Sequence, residues 1–216
     1  MCGRVTLHDV DQMRDFLSQF FSIEHHEFQG IPSYNIAPKQ RVWSIIYHAN
    51  TFRVGQMSWG MMIQSRDSTF FNINAKRESL QTFYTFKKLY QQKRALMIIN
   101  GYYEWQDQGD YKQPFYITSK HQHMMVVAAL WNKQKEGFGL TLMTQPPNEF
   151  LGHIHHRMPV LLSAEEGIQY LKDGTLPNQV SMDVTYHPVS HEVNQTKKDH
   201  EGLILNVEEM YESILD

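Results

Sequence analysis

With a single cysteine, Cys2, among 216 residues, the chain has no partner for an internal disulfide and too few thiols for a cysteine-built zinc site. No apolar run approaches the roughly 18 residues of a membrane-spanning helix, and the start lacks the basic segment, apolar stretch and cleavage site of a secretory signal. A soluble, cytoplasmic protein is expected. A surplus of positive charge is missing as well: 20 Lys and Arg stand against 23 Asp and Glu, for a formal net charge of -3. Binding to a polyanion by bulk attraction is thereby excluded, and any such binding has to rest on where the cations are placed. Internal repeats, low-complexity tracts and linkers rich in Gly, Ser or Pro are absent, so the chain divides nowhere obvious.

An apolar fraction of 41% is enough for an ordinary core. Asp9 as N-cap, with Val10, Met13, Phe16, Leu17, Phe20 and Phe21 at helical spacing, predicts a helix over 10–21. Strand-like runs follow at 42–47 and 52–59. Phe83, Phe86, Leu89 and Tyr90 predict a short amphipathic helix with Lys87, Lys88, Lys93 and Arg94 outside or at its end. Apolar stretches at 95–99, 115–117, 124–131 and 140–143, separated by turn signals, read as strands. Ser163 and Glu166 form a capping box for a helix over 164–172. Val207, Met210, Tyr211 and Ile214 suggest a closing helix. The simplest organisation is one mixed, β-rich domain over 1–216.

Four places can carry chemistry. Methionine removal is efficient before a small residue, and it would leave Cys2 with both an α-amine and a thiol, whose ordinary pKa values near roughly 8 and 8.5 keep a fraction of each reactive. An aldehyde suits that pair: the amine forms an imine and the thiol closes on the same carbon to give a thiazolidine. A chance cysteine beside the start is the plain alternative. Glu104, between aromatics in Gly101-Tyr102-Tyr103-Glu104-Trp105, is either a desolvated carboxyl fit for acid-base work or a strand glutamate facing water. In Gly152-His153-Ile154-His155-His156-Arg157, an extended segment would put His153 and His155 on one face, for proton transfer, for metal, or as surface histidines. Asn74-Ala75-Lys76-Arg77-Glu78 offers an amide, two cations and a carboxylate that order a phosphate or the N-terminus, or form a solvated cluster.

Met1-Cys2-Gly3-Arg4, Tyr34-Asn35-Ile36-Ala37-Pro38, Trp59-Gly60, Asn74-Ala75 with Glu78, Gly101 to Trp105, Lys112-Gln113-Pro114-Phe115-Tyr116, His155 to Pro159 and His187-Pro188-Val189-Ser190 occur in the order of one family. In these motifs the chain resembles the SOS-response-associated peptidases over residues 2 to 194, with 195–216 a C-terminal extension expected to pack on the domain.

The resemblance implies an α+β fold: a single β-rich domain whose mostly antiparallel sheet curls into a barrel-like core with peripheral helices. It implies covalent capture of abasic sites in single-stranded DNA, with possible lyase and autopeptidase activity, by a monomer that is nucleoid-associated when it acts, needing neither cofactor nor metal. Carried over, Cys2 is the nucleophile, Asn74 positions its amine or the sugar, and Glu104 and His155 handle protons. Arg4, Lys76, Arg77, Thr144 and Arg157 contact or arrange the DNA backbone, and Trp59 stacks a base, shapes the groove or packs in the core. Lys76 stands where the family usually has arginine, which removes a two-pronged phosphate contact. The acidic balance further requires the cations Arg4, Lys39, Arg41, Lys76, Arg77 and Arg157 to form a confined strip. Two other readings share the Met-Cys-Gly start or the fold: an N-terminal-nucleophile amidohydrolase resembling glutamine amidotransferases, and a DNA-binding module without covalent chemistry.

Overall fold

The alternation of buried and exposed residues separates the strands that lie inside the molecule from those at its surface. In a computed structural model, residues 2–24, 31–65, 68–121, 124–178 and 182–208 are described. The elements are β1 (Val5–Leu7), α1 (Val10–Phe21), β2 (Ser33–Ile36), β3 (Arg41–His48), β4 (Thr51–Trp59), β5 (Met61–Gln64), β6 (Thr69–Asn72), β7 (Asn74–Lys76), α2 (Tyr84–Gln92), β8 (Arg94–Ile99), β9 (Gly101–Asp107), β10 (Lys112–Ser119), β11 (Met125–Lys133), β12 (Phe138–Gln145), β13 (Met158–Pro159), β14 (Leu161–Leu162), α3 (Ala164–Asp173) and β15 (Val184–Pro188). Residues 95–99 of β8 and 125–130 of β11 are buried without interruption, as strands covered on both faces must be.

The larger sheet closes into a ring. Strand β12 pairs with β4, β4 with β3, β3 with β8, β8 with β11, and β11 returns to β12. Most of these pairs are antiparallel, but β12 runs parallel to β4 and to β7. The curled, mostly antiparallel sheet expected from the resemblance is thus present as a ring-like mixed sheet, its parallel contacts all made by β12. Closing the ring leaves few unpaired strand edges.

Helices cover the sheet from outside. Asp9 caps α1 by accepting from the Gln12 N–H, and α1 buries Met13, Phe16, Leu17 and Phe21. The Ser163–Glu166 capping box is present at α3. Helix α3 approaches the sheet through Gly167, where a Cβ would lie 2.9 Å from Leu96. Among the described residues no helix is long and apolar enough to cross a membrane.

A second, antiparallel sheet has the order β15-β10-β9-β1-β2. Strand β9 divides the interior: Tyr102 packs in the main core with Cys2, while Tyr103 joins Tyr116, Val189, Val193 and Leu203 in a smaller cluster. The described part of the C-terminal segment is tied down there, since Asn35 Nδ2 donates to the Gln195 and Lys198 carbonyls and Leu203 is fully buried. Of the closing helix expected on Val207, Met210, Tyr211 and Ile214, residues 209–216 lie outside the described residues.

Candidate active site

Strand β1 brings the start of the chain to the middle of a sheet, with Val5 paired to Ile36 on one side and to Tyr102 on the other. Cys2, just ahead of it, is fully buried. Asn74, the first residue of β7, donates from Nδ2 to the Cys2 carbonyl at 2.9 Å. The Cys2 Sγ lies 3.9 Å from the Arg4 carbonyl. Burial pushes the thiol well above its usual range, and the nearby Glu104 carboxylate pushes it further. In this state the sulfur is a covered, protonated thiol.

Glu104 is the carboxyl opposed to it. Two residues after Tyr102 on β9, it shares that residue's face of the strand and points inward with only 3% exposure. Of the two readings open from sequence, the buried carboxyl is the one realised. Burial lifts its pKa to about 7, against the opposing pull of the positive chain terminus and a hydrogen bond from the Trp105 backbone. A carboxyl at that value exists in both forms near neutral pH, as general acid-base work requires.

His155 reaches the same place from another element. The segment ahead of it is a turn, not extended: the N–H groups of Ile154 and His155 both donate to the Leu151 carbonyl. His153 and His155 therefore do not share a strand face, and His153 packs its ring on Tyr186 instead. The His155 Nδ1 accepts from the Arg157 N–H at 3.0 Å. Desolvation dominates its titration, joined by the positive chain terminus, and lowers the pKa to about 4, although the Arg157 carbonyl favours the protonated ring. The imidazole is neutral at physiological pH. Glu104 and His155 together line an open cleft of about 550 Å³, with Lys112 and Asn194 on its rim.

The residues expected at DNA fall into two groups. Arg157 makes a two-pronged ion pair with Glu78 at 2.6 and 2.9 Å, and its Nη2 also donates to the Thr144 carbonyl at 2.7 Å. Thr144 is fully buried, and Arg77 donates to Gln145 Oε1. Lys76, exposed, pairs with Thr144 across the parallel β7–β12 contact, so Lys76, Arg77 and Arg157 cluster at the end of β12. Lys39 and Arg41 lie at the other end, because Arg41 pairs with Ser58, which pairs with Gly139 at the start of β12. Five residues at about 3.3 Å each separate the ends, roughly 16 Å. Arg4 is half-buried and donates to the Gly3 carbonyl. Trp59 is fully buried with its Nε1 on the Ile73 carbonyl, so of its three readings the core one holds and it offers no face to a base.

Sequence reading assigned no role to three residues that the fold places at the site. Tyr102 stands beside Cys2 and Glu104 in the core, its hydroxyl buried with no hydrogen-bond partner among the described residues. It lay inside a motif already singled out, yet nothing local distinguishes it from Tyr103. Lys112 and Asn194 come from β10 and from the turn after β15; Asn194 Oδ1 accepts from Trp105 Nε1 at 2.8 Å. Pairing of β10 with β9 places Lys112, and pairing of β15 with β10 places the turn that carries Asn194; Lys112 opened a quoted motif without a role, and nothing local announced Asn194.

A family model described as SOS response associated peptidase matches residues 1–196. Among curated proteins, the chain is 31% identical over 224 residues to the abasic site processing protein YoqW of Bacillus subtilis, covering 94% of this chain and 99% of that one. It is 28% identical over 226 residues to the abasic site processing protein YedK of Escherichia coli, covering 94% and 99%. Among solved structures, a phage-related protein from Bordetella bronchiseptica superposes with a TM-score of 0.67 at 22% identity, over 88% of this chain and 95% of that one. At that identity the likeness speaks for the fold.

Proposed function

The chain belongs to the SOS response associated peptidase family, and from that premise we propose that it captures abasic sites in single-stranded DNA covalently through Cys2. The observation that carries this reading is the burial of Cys2 beside a carboxyl whose pKa stands at about 7, with the Cys2 carbonyl clasped by Asn74.

The chemistry follows from the upward shifts of the Cys2 thiol and the Glu104 carboxyl. Because the thiol is pushed well up, the α-amine exposed by loss of Met1 is the first nucleophile. Its nitrogen bonds to the aldehyde carbon of the ring-opened sugar and water leaves, giving an imine. The Cys2 sulfur then adds across the C=N bond while its proton passes to the nitrogen, closing the thiazolidine. Glu104, present in both protonation states, takes the proton from sulfur and delivers it to the former imine nitrogen. His155, neutral and rimming the same cleft, donates a hydrogen bond to a hydroxyl of the opened sugar. Lyase activity would belong to the imine, before ring closure. Autopeptidase activity would consist of removing Met1.

Lys76, Arg77 and Arg4 are the cations for the DNA backbone. Arg157, already committed to Glu78 and Thr144, acts by holding the His155 turn to the end of β12. The test is incubation with single-stranded DNA carrying one abasic site, followed by a denaturing gel, using wild type, Cys2→Ala and a form that retains Met1. A shifted band confined to wild type is expected. No band from protein whose Met1 is absent by mass would overturn the proposal and direct attention to glutamine hydrolysis, while a band that survives Cys2→Ala would overturn the role of Cys2.

A further inference from the structure

Outside the Cys2 site, a cavity of about 1090 Å³ opens between the β5–β6 hairpin, α2 and the turn joining β11 to β12. Four lysines line it, Lys88, Lys93, Lys133 and Lys135, and among the described residues no Asp or Glu does. In a chain of net charge -3 this is a local concentration of one sign. The walls are joined to one another. The Met62 N–H donates to Gln134 Oε1 at 2.9 Å, and Thr85 Oγ1 donates to the Gln64 carbonyl at 2.7 Å. At the base, Gly139 lies so close to Met61 that a Cβ there would sit 2.6 Å from the Met61 Cβ. Lys93 extends over the Trp131 ring at 4.3 Å.

The same hairpin leads back to the candidate active site. Asn72, at its other end, donates from Nδ2 to the Asn74 carbonyl at 3.1 Å, and Asn74 holds Cys2. From Asn72 to Thr69, at about 3.3 Å per residue, the hairpin spans roughly 10 Å, a few nucleotides of a single strand. Met62 and Phe71 are cross-strand partners, 48% and 42% exposed, and Lys39 Nζ lies 5.7 Å from the Phe71 ring. An apolar surface flanked by cations thus connects Asn72 to the lysine groove, which matches a polyanion carrying flat bases better than an acidic peptide.

We propose that this groove holds the phosphate backbone of the single strand flanking the abasic site, a few nucleotides from Cys2. The inference rests on the proposed function and extends it. Each phosphate neutralised on a single strand contributes about -0.7 to the slope of log affinity against log salt. Replacing two lysines therefore lowers the slope by about 1.4 and weakens binding about 25-fold at roughly 0.1 M salt.

Two measurements on the full chain separate the groove from the chemistry. Anisotropy of a fluorescent, undamaged single strand of about 20 nucleotides reads the groove. Capture of a trinucleotide with a central abasic site, too short to reach it, reads Cys2. Lys88→Gln/Lys133→Gln, both exposed positions, is expected to lose affinity and salt slope on the long strand and to capture the trinucleotide as wild type does. Unchanged affinity and slope on the long strand overturn the proposal, as does polyglutamate binding that depends on these lysines when DNA binding does not. Failure of wild type to capture any abasic DNA, with the variant still weaker on the undamaged strand, overturns the covalent reading and leaves the groove as a strand-binding surface.

Discussion

Replacing Glu104 by Gln should make the protein's stability less dependent on pH in one defined window. The folded-state pKa of Glu104 is about 7 against an ordinary 4.5, so between those values the folded protein holds a proton that the unfolded chain has released. Stability from this group is therefore full below pH 4.5 and is lost as pH rises through about 7. At roughly 1.4 kcal/mol per pH unit, the loss is about 3 kcal/mol. Glutamine keeps the shape and cannot ionise. The difference in stability, variant minus wild type, should rise by about 3 kcal/mol between pH 4 and pH 8, a shift of about 1–2 M in the urea midpoint. His155 contributes with the opposite sign: its pKa is lowered from 6.5 to about 4, so its contribution is lost as pH falls through that window. It is common to both proteins and cancels in the difference. Urea unfolding at five pH values measures the effect. A midpoint difference that stays constant across the range would refute the picture of a buried, proton-holding Glu104.

Tyr102→Phe removes a buried hydroxyl that has no partner among the described residues, and a gain of about 1 kcal/mol is expected in denaturant unfolding; a loss would mean that the hydroxyl is paired in the protein as it matures. Gly101→Ala would place a Cβ 2.3 Å from the Tyr116 hydroxyl, which bonds Thr6 Oγ1 at 2.9 Å. Overpacking and the disturbed bond should together cost about 2–4 kcal/mol, read as a lower urea midpoint. Arg157→Lys keeps the charge and loses the two-pronged contact with Glu78 and Thr144, so a loss of about 1–2 kcal/mol is expected together with slower capture of abasic DNA. Unchanged stability and rate would show that the Arg157 fork does not hold the His155 turn.

Much of the secondary structure was legible because periodicity is local. Helix α1, with its Asp9 cap, and helix α3, with its capping box, are set by residues three and four apart. The unbroken apolar runs of β8 and β11 marked strands, and the fold then covers them on both faces. His153 and His155 misled, because the extended backbone assumed for them is a turn whose hydrogen bonds converge on the Leu151 carbonyl. The β3–β8 pairing and the two parallel contacts of β12, with β4 and β7, join residues far apart in sequence, which no local pattern encodes.

What the sequence by itself determined is the chemistry on offer: one cysteine at position 2, a glutamate among aromatics, a histidine before Arg157, an asparagine at 74, and a charge balance that forbids bulk attraction to DNA. The state of those groups was decided by the tertiary structure alone. Trp59 could read as a platform or as core, and only ring packing buries it completely. Arg157 reads as a phosphate ligand until Glu78, 79 residues earlier in the chain, occupies its fork. Glu104 becomes an acid with a pKa of about 7 because β9 turns it inward beside Cys2. Residue type sets what a side chain can do, whereas burial and the charges that long-range contacts place around it set which protonation state and which partner it has.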